Sequence, residues 1–250
     1  MALKDKVQQT TRKNLPPKLV VGGESGIGKT LFISQMPNVI ALLTEDGAHH
    51  VDMPAFPLVR SFDEVMEAIG DLYREEHSYE WLAIDSADWL EPIIAKQAAA
   101  NNGWDSVDAA PYGRGYTEAA KLWRRVLTGL DALRNERGMG VCFTSHGQVK
   151  RIETPTTDGY DAFTLKLHHK VASQLTEWAD IIGWACYRVA TKREDQGFGK
   201  ERKRAIGTGE RLLLVEPNPA YPSKTRYGIT DGPLDWATFS NALNALNTEK

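Results

Sequence analysis

The sequence predicts an α/β fold, a mostly parallel sheet flanked by helices and extended on its C-terminal side by antiparallel strands. Three observations carry this. The stretch Gly23-Glu24-Ser25-Gly26-Ile27-Gly28-Lys29-Thr30 reads G-x-x-x-x-G-K-T, and it lies between an apolar run, Lys18 to Val21, and a helix-forming stretch, Leu31 to Met36. Continuous apolar runs of strand length then alternate with helical periodicity, the pattern of strands buried on both faces. After Asp180 the pattern changes to strand-like runs joined by short turns.

The elements follow in order. Residues 1–16 read as a loose polar leader, and Pro16-Pro17 favours an extended entry into the first strand. Pro37 ends the first helix. Asn38 to Leu43 is a buried strand that stops at the polar turn Thr44-Glu45-Asp46-Gly47. Ser61-Phe62-Asp63-Glu64 is a capping box opening a helix with Phe62, Val65, Met66, Ile69, Leu72 and Tyr73 at helical spacing. Trp81 to Ser86 is the next strand, followed by a helix over 88–100. A loop spans Asn101 to Gly115, and a long helix runs from Thr117 to Arg137, where Gly138 and Gly140 mark its end. Val141 to Ser145 is a strand finishing at His146. Residues 147–163 show no apolar periodicity and read as a polar loop, before a helix over 167–178. Strands are predicted over 180–189, 200–204 and 211–215, and Leu234, Trp236, Phe239, Leu243 and Leu246 form the stripe of a closing helix. The expected organisation is a leader (1–16), a nucleotide-binding core (17–232) and a C-terminal helix (233–250) lying on the core or at a subunit interface.

Composition narrows the function classes. A net charge of −3 excludes a globally basic nucleic-acid binder and leaves room for a local basic groove. The two cysteines, Cys142 and Cys186, sit in apolar strand-like runs without metal-ligand spacing and are expected as buried free thiols. Met1 to Leu15 lacks the apolar segment of a signal peptide, and no run is long enough to span a bilayer, so no membrane partner and a reduced cytoplasmic setting are expected.

The glycine-rich stretch predicts a nucleoside triphosphate site. Gly23, Glu24, Ser25, Gly26, Ile27, Gly28, Lys29, Thr30 and Leu31 would surround the phosphates with backbone N–H groups, and the helix that follows adds the positive end of its dipole. Lys29 would reach the outer phosphates and the Thr30 hydroxyl a Mg²⁺ ion. Asp85, a carboxylate ending a buried strand downstream of such a loop, stands where a metal-holding acid belongs. Glu45 suits a general base for water, with Asp46 as its rival. His146, ending the next strand, could sense the terminal phosphate. Segments 101–116, with Arg114, and 147–163, with Lys150 and Arg151, mix aromatic, glycine and basic residues, a composition that suits single-stranded nucleic acid or an ordinary surface loop. Lys224-Thr225-Arg226-Tyr227-Gly228 reads as a basic turn, either solvated or serving as a finger for a neighbour's site.

The order of these pieces resembles RecA-type ATPases, through Gly23 to Thr30 with Glu24 inside the loop, Glu45 before Asp46-Gly47, Ile84-Asp85-Ser86, and Thr144-Ser145-His146. Within that superfamily it looks most like the compact core-only phage proteins of the fourth Sak group of single-strand annealing proteins, with the resemblance spanning roughly residues 14–232. The Lys224-Thr225-Arg226 turn is similar to the lysine–arginine finger of RecA-like helicases. The resemblance implies a RecA-like P-loop NTPase core using ATP and Mg²⁺, with Glu45 as catalytic base, Asp85 as metal acid, and segments 101–116 and 147–163 facing DNA. His146 stands where RecA has glutamine. Implied partners are single-stranded DNA, further copies in a ring or filament with shared ATP sites, and a single-stranded-DNA-binding protein, in the host cytoplasm. Two rival readings are a motor or loader ATPase acting on duplex DNA or protein, and a non-hydrolysing ATP-dependent recruitment switch.

Overall fold

A computed structural model describes residues 15–195 and 201–248, with the side chains of 190–208 and 246–248 outside that description. Most of the expected leader and residues 196–200 therefore lie outside the described residues. The chain runs β1 (Lys18–Gly23), α1 (Lys29–Ser34), β2 (Val39–Leu43), α2 (Phe62–Arg74), β3 (Trp81–Asp85), α3 (Ala87–Asn101), α4 (Arg114–Glu136), β4 (Gly140–Thr154), β5 (Thr157–Leu165), α5 (His169–Trp178), β6 (Ile181–Asp195), β7 (Glu201–Leu214), β8 (Lys224–Thr225), β9 (Gly232–Pro233) and α6 (Trp236–Thr248).

The strands join in the order β2-β3-β4-β1-β6-β7-β9, with β5 on β4 and β8 on β6. β2, β3, β4, β1 and β6 run parallel, so the loops after them open at one sheet edge. β7 is antiparallel to β6. The strand pattern that changes after Asp180 therefore has a parallel first member, and within it the antiparallel strands begin with β7. Strands expected separately over 200–204 and 211–215 belong to one strand, β7.

Two cores line the sheet. Val20, Leu42, Leu82, Ile84, Val141 and Phe143 face helices α2 to α5, where Trp123 is fully buried. Leu19, Val21, Ala83 and Cys142 face the opposite way with Phe32 of α1 and Trp236 and Phe239 of α6. Trp236 makes edge contacts with Phe32 at 5.7 Å and Trp81 at 5.0 Å, so α6 closes this second face. Cys142 is buried and Cys186 half-buried, both as free thiols.

Local chemistry explains the helix starts. Ser61 accepts from the Glu64 N–H at 3.3 Å, while Glu64 reaches past the cap to the Arg60 N–H at 2.7 Å, a variant of the expected reciprocal box. The outer edge of β2 is covered by residues 54–59, with Ala41 N–H donating to Pro54 O at 2.8 Å and Val59 N–H to Leu43 O at 3.0 Å.

Both expected working loops carry more structure than their sequences predict. Residues 147–163 are a β-hairpin: β4 runs on past His146 to Thr154, and β5 returns from Thr157, pairing Gly147 with Leu165 through Ile152 with Tyr160. An arm with both faces largely solvated shows no apolar alternation, which is why its sequence reads as loop. In the other segment, Pro111–Gly113 is a turn of 3-10 helix and α4 starts at Arg114, three residues before the expected helix. Gly115 makes this docking possible, because a Cβ there would lie 2.0 Å from the Val107 carbonyl.

Candidate functional site

β1 delivers the glycine-rich loop to the edge where β2 and β3 also end and where β4 passes into the hairpin. Gly28, with φ +110°, holds a left-handed backbone that a side chain disfavours. Lys29 is buried, and its Nζ donates to the carbonyls of Gly23 at 3.1 Å and Glu24 at 2.7 Å. Burial lowers its pKa, and the carboxylates of Asp85, Asp88, Glu45 and Glu24 oppose that shift. The bonds to the loop carbonyls are those it would exchange for phosphate oxygens.

Asp85 ends β3 with its carboxylate held from a helix, α1, and a strand, β4. Thr30 donates to its Oδ2 at 2.8 Å, and Thr144 of β4 donates to its Oδ1. The hydroxyl and carboxylate expected to share a metal ion are thus already adjacent. Ser86 and Thr44 lock the strand ends together: Ser86 N–H donates to Thr44 Oγ1 at 2.7 Å, and Thr44 Oγ1 donates to the Ser86 carbonyl at 2.8 Å.

Glu45 accepts from the Ser86 hydroxyl at 3.1 Å. Burial raises its pKa, with the Ser86 bond and the nearby His146 working the other way. Asp46 turns outward to pair with His49 at 2.9 Å, so Glu45 is the turn carboxylate directed into the site. Together Ser25, Gly28, Lys29, Thr30, Glu45 and Asp85 line a cleft of about 270 Å³ that also meets His50 and His146.

His146 is held twice by Asp88 of α3. Its backbone N–H donates to Oδ1 at 2.9 Å, and its Nδ1 lies 2.9 Å from Oδ2. Burial disfavours the Asp88 carboxylate, but the His146 contacts outweigh it and hold the pKa below the ordinary value. Asp88 is absent from the sequence-based candidates; its position three residues after Asp85, in the first turn of the next helix, is the signal that could have marked it. One turn further along α3, Glu91 accepts the His168 N–H through both oxygens, at 3.0 and 3.1 Å. The Tyr116 ring stacks on His168 at 3.9 Å, and its hydroxyl donates to Asp108 at 2.7 Å. Asp88 and Glu91 therefore hold the two roots of the β4–β5 hairpin, and Tyr116 joins the 101–116 segment to the same place.

The remaining predicted residues lie away from the cleft. Lys150 and Arg151 are exposed on the hairpin, with Arg151 3.9 Å from Asp161, and Arg114 is exposed in the first turn of α4. Lys224 and Arg226 sit beside the start of β6, at the sheet end opposite the glycine-rich loop. They are not a free projection. Lys224 Nζ donates to the carbonyls of Thr176 at 2.8 Å and Ala179 at 2.6 Å, capping α5, and Arg226 pairs with the buried Asp180 at 2.9 Å and with the Glu177 carbonyl at 3.1 Å.

A glycine-rich loop closed on a buried lysine, followed by a threonine bonded to a strand-end aspartate, defines a P-loop ATPase-type α/β domain. The chain belongs to the AAA-domain family, whose family model, described as AAA domain, matches residues 15–227. Membership implies nucleotide binding. No curated protein matches the chain. Among the described residues, no helix is long and apolar enough to cross a membrane.

Proposed function

We propose that this protein is a Mg²⁺-dependent ATPase that binds single-stranded DNA and promotes strand annealing, in the manner of the phage recombination proteins its sequence resembles. The observation that carries the reading is the line of contacts from cleft to hairpin: Glu45 to Ser86 in the cleft, Asp88 to His146 at its rim, and Glu91 to His168 at the far root of the hairpin.

In this reading Lys29 neutralises the outer phosphates and the loop amides orient them. Thr30 and Asp85 would hold Mg²⁺, which would supply charge stabilisation to the phosphoryl oxygens. Glu45 takes the proton of the attacking water, and the burial that raises its pKa makes it a better base. His146 meets the terminal phosphate. It begins the hairpin and is tied to α3 through Asp88, so a change in its contacts moves the surface that carries Lys150 and Arg151. Finger residues Lys224 and Arg226 would act in a neighbouring copy's site, since in their own chain they lie at the opposite end of the sheet.

The test follows ATP hydrolysis with and without single-stranded DNA, with annealing of complementary strands measured in parallel. Stimulation by single-stranded DNA together with faster annealing is the expected result. Preferential stimulation by duplex identifies a motor or loader instead, and ATP binding without turnover identifies a recruitment switch.

A further inference from the structure

The expected site residues account for only one end of a nucleoside triphosphate. Glu45 follows β2, Asp85 ends β3 and His146 lies within β4, and these three strands all lie on one side of β1 in the sheet. With the terminal phosphate among them and the phosphate chain along the loop above β1, the nucleoside must leave on the other side of β1. There β6 and β7 run past the loop, with β6 aligned to β1 as far as Gly23 opposite Ala185.

Two residues stand at that place. Arg211 of β7 lies against the outside of the loop: its Nη1 is 3.4 Å from the Ile27 carbonyl, and it occupies the space of a Gly28 side chain, since a Cβ there would fall 2.5 Å from it. That is the guanidinium's sole hydrogen bond among the described residues, and no carboxylate there pairs with it. A half-buried guanidinium with spare donors beside a phosphate-binding loop is a site for an anion. Directly opposite on β6 stands Tyr187, 45% exposed. Residues paired across an antiparallel ladder project from the same face, so Tyr187 shares the Arg211 side of the sheet. The pairing register shifts immediately beyond Tyr187, a local irregularity of the kind that re-aims side chains beside binding sites.

We propose that Arg211 and Tyr187 form the nucleoside side of the site, Arg211 meeting the phosphate nearest the ribose and Tyr187 offering its ring to the base. The assignment rests on the triphosphate reading above. Because a ring face accepts any base, it further assigns low discrimination between purines.

Binding of ATP, GTP and inorganic tripolyphosphate to the purified chain tests this, with thermal melting to confirm folding. Tyr187→Ala should weaken ATP and GTP alike by roughly tenfold or more while leaving tripolyphosphate unchanged, and Tyr187→Phe should restore both nucleotides. Arg211→Gln, which can keep a bond to Ile27 but not the charge, should weaken all three ligands, and Arg211→Lys should recover part of the loss. Wild-type affinity for ATP in Tyr187→Ala overturns the stacking role, and wild-type affinity in Arg211→Gln reduces Arg211 to a support of the loop and overturns its anion role. ATP binding that is abolished by Lys29→Ala yet blind to both residues defeats this inference alone. No ATP binding by the wild-type chain defeats it together with the triphosphate reading.

Discussion

Glu45 shows how a single carboxylate acquires a role from its surroundings. Its neighbour Asp46 is solvated and paired with an exposed histidine, while Glu45 is partly buried against Ser86 with its pKa raised. If Glu45 is the proposed base, hydrolysis should fall as pH drops through its raised pKa, because a base must be ionised to act. The acid limb of kcat should then lie above the ordinary glutamate value of about 4.3. Glu45→Gln should retain ATP affinity and lose about 10²- to 10⁴-fold in kcat, together with that acid limb. Measuring kcat against pH for both proteins checks it; a Glu45→Gln protein at wild-type rate, with Asp46→Asn inactive, would transfer the role to Asp46.

At the scale of elements, the β4–β5 hairpin departs furthest from its sequence expectation. It is anchored by residues one helical turn apart on α3, Asp88 at the start and Glu91 at the end, so α3 couples the cleft to the arm. Lys150 and Arg151 are exposed on that arm, with Arg151 3.9 Å from the exposed Asp161. Replacing both with alanine should weaken single-stranded DNA binding and flatten the dependence of log affinity on log salt by roughly 0.7 for each phosphate left without its cation. Because neither side chain supports the core, the melting temperature should stay put. A salt slope equal to wild type would place the DNA elsewhere, with Arg114 the next residue to replace.

For the whole molecule, the question is whether one chain holds a complete site. Lys224 and Arg226 secure the end of α5 and the buried Asp180, which Arg134 also meets at 3.1 Å. Arg226→Ala should therefore cost only about 1 kcal/mol of stability, since the pair is half-solvated and Asp180 keeps a second arginine. If the finger acts in a neighbour's site, this variant binds ATP but loses most hydrolysis, by about 10³-fold or more. Mixing it with Lys29→Ala should then restore part of the activity, because some interfaces pair an intact loop with an intact finger. Hydrolysis followed against mixing ratio, under conditions where subunits exchange, checks it; a mixture no more active than its components would leave the two residues as a cap on α5.

Local rules were enough for the loop from Gly23 to Thr30, the strand ends before Glu45 and at Asp85, and the capping box at Ser61. Each depends on glycine conformation, apolar period or side-chain-to-backbone bonding within a few residues, and such signals survive in one dimension. What only the tertiary structure decided joins residues far apart in the chain: Asp88 with His146, Glu91 with His168, Arg211 with the loop at Gly28, and Arg226 with Asp180. The parallel direction of β6 belongs to the same group, because it depends on pairing with β1 rather than on its own composition. So does the hairpin, whose strands are held by each other and by anchors on α3, and whose solvated faces leave no alternation to read. Polar contacts across elements carry no period, and only the packed sheet brings their partners within hydrogen-bonding distance.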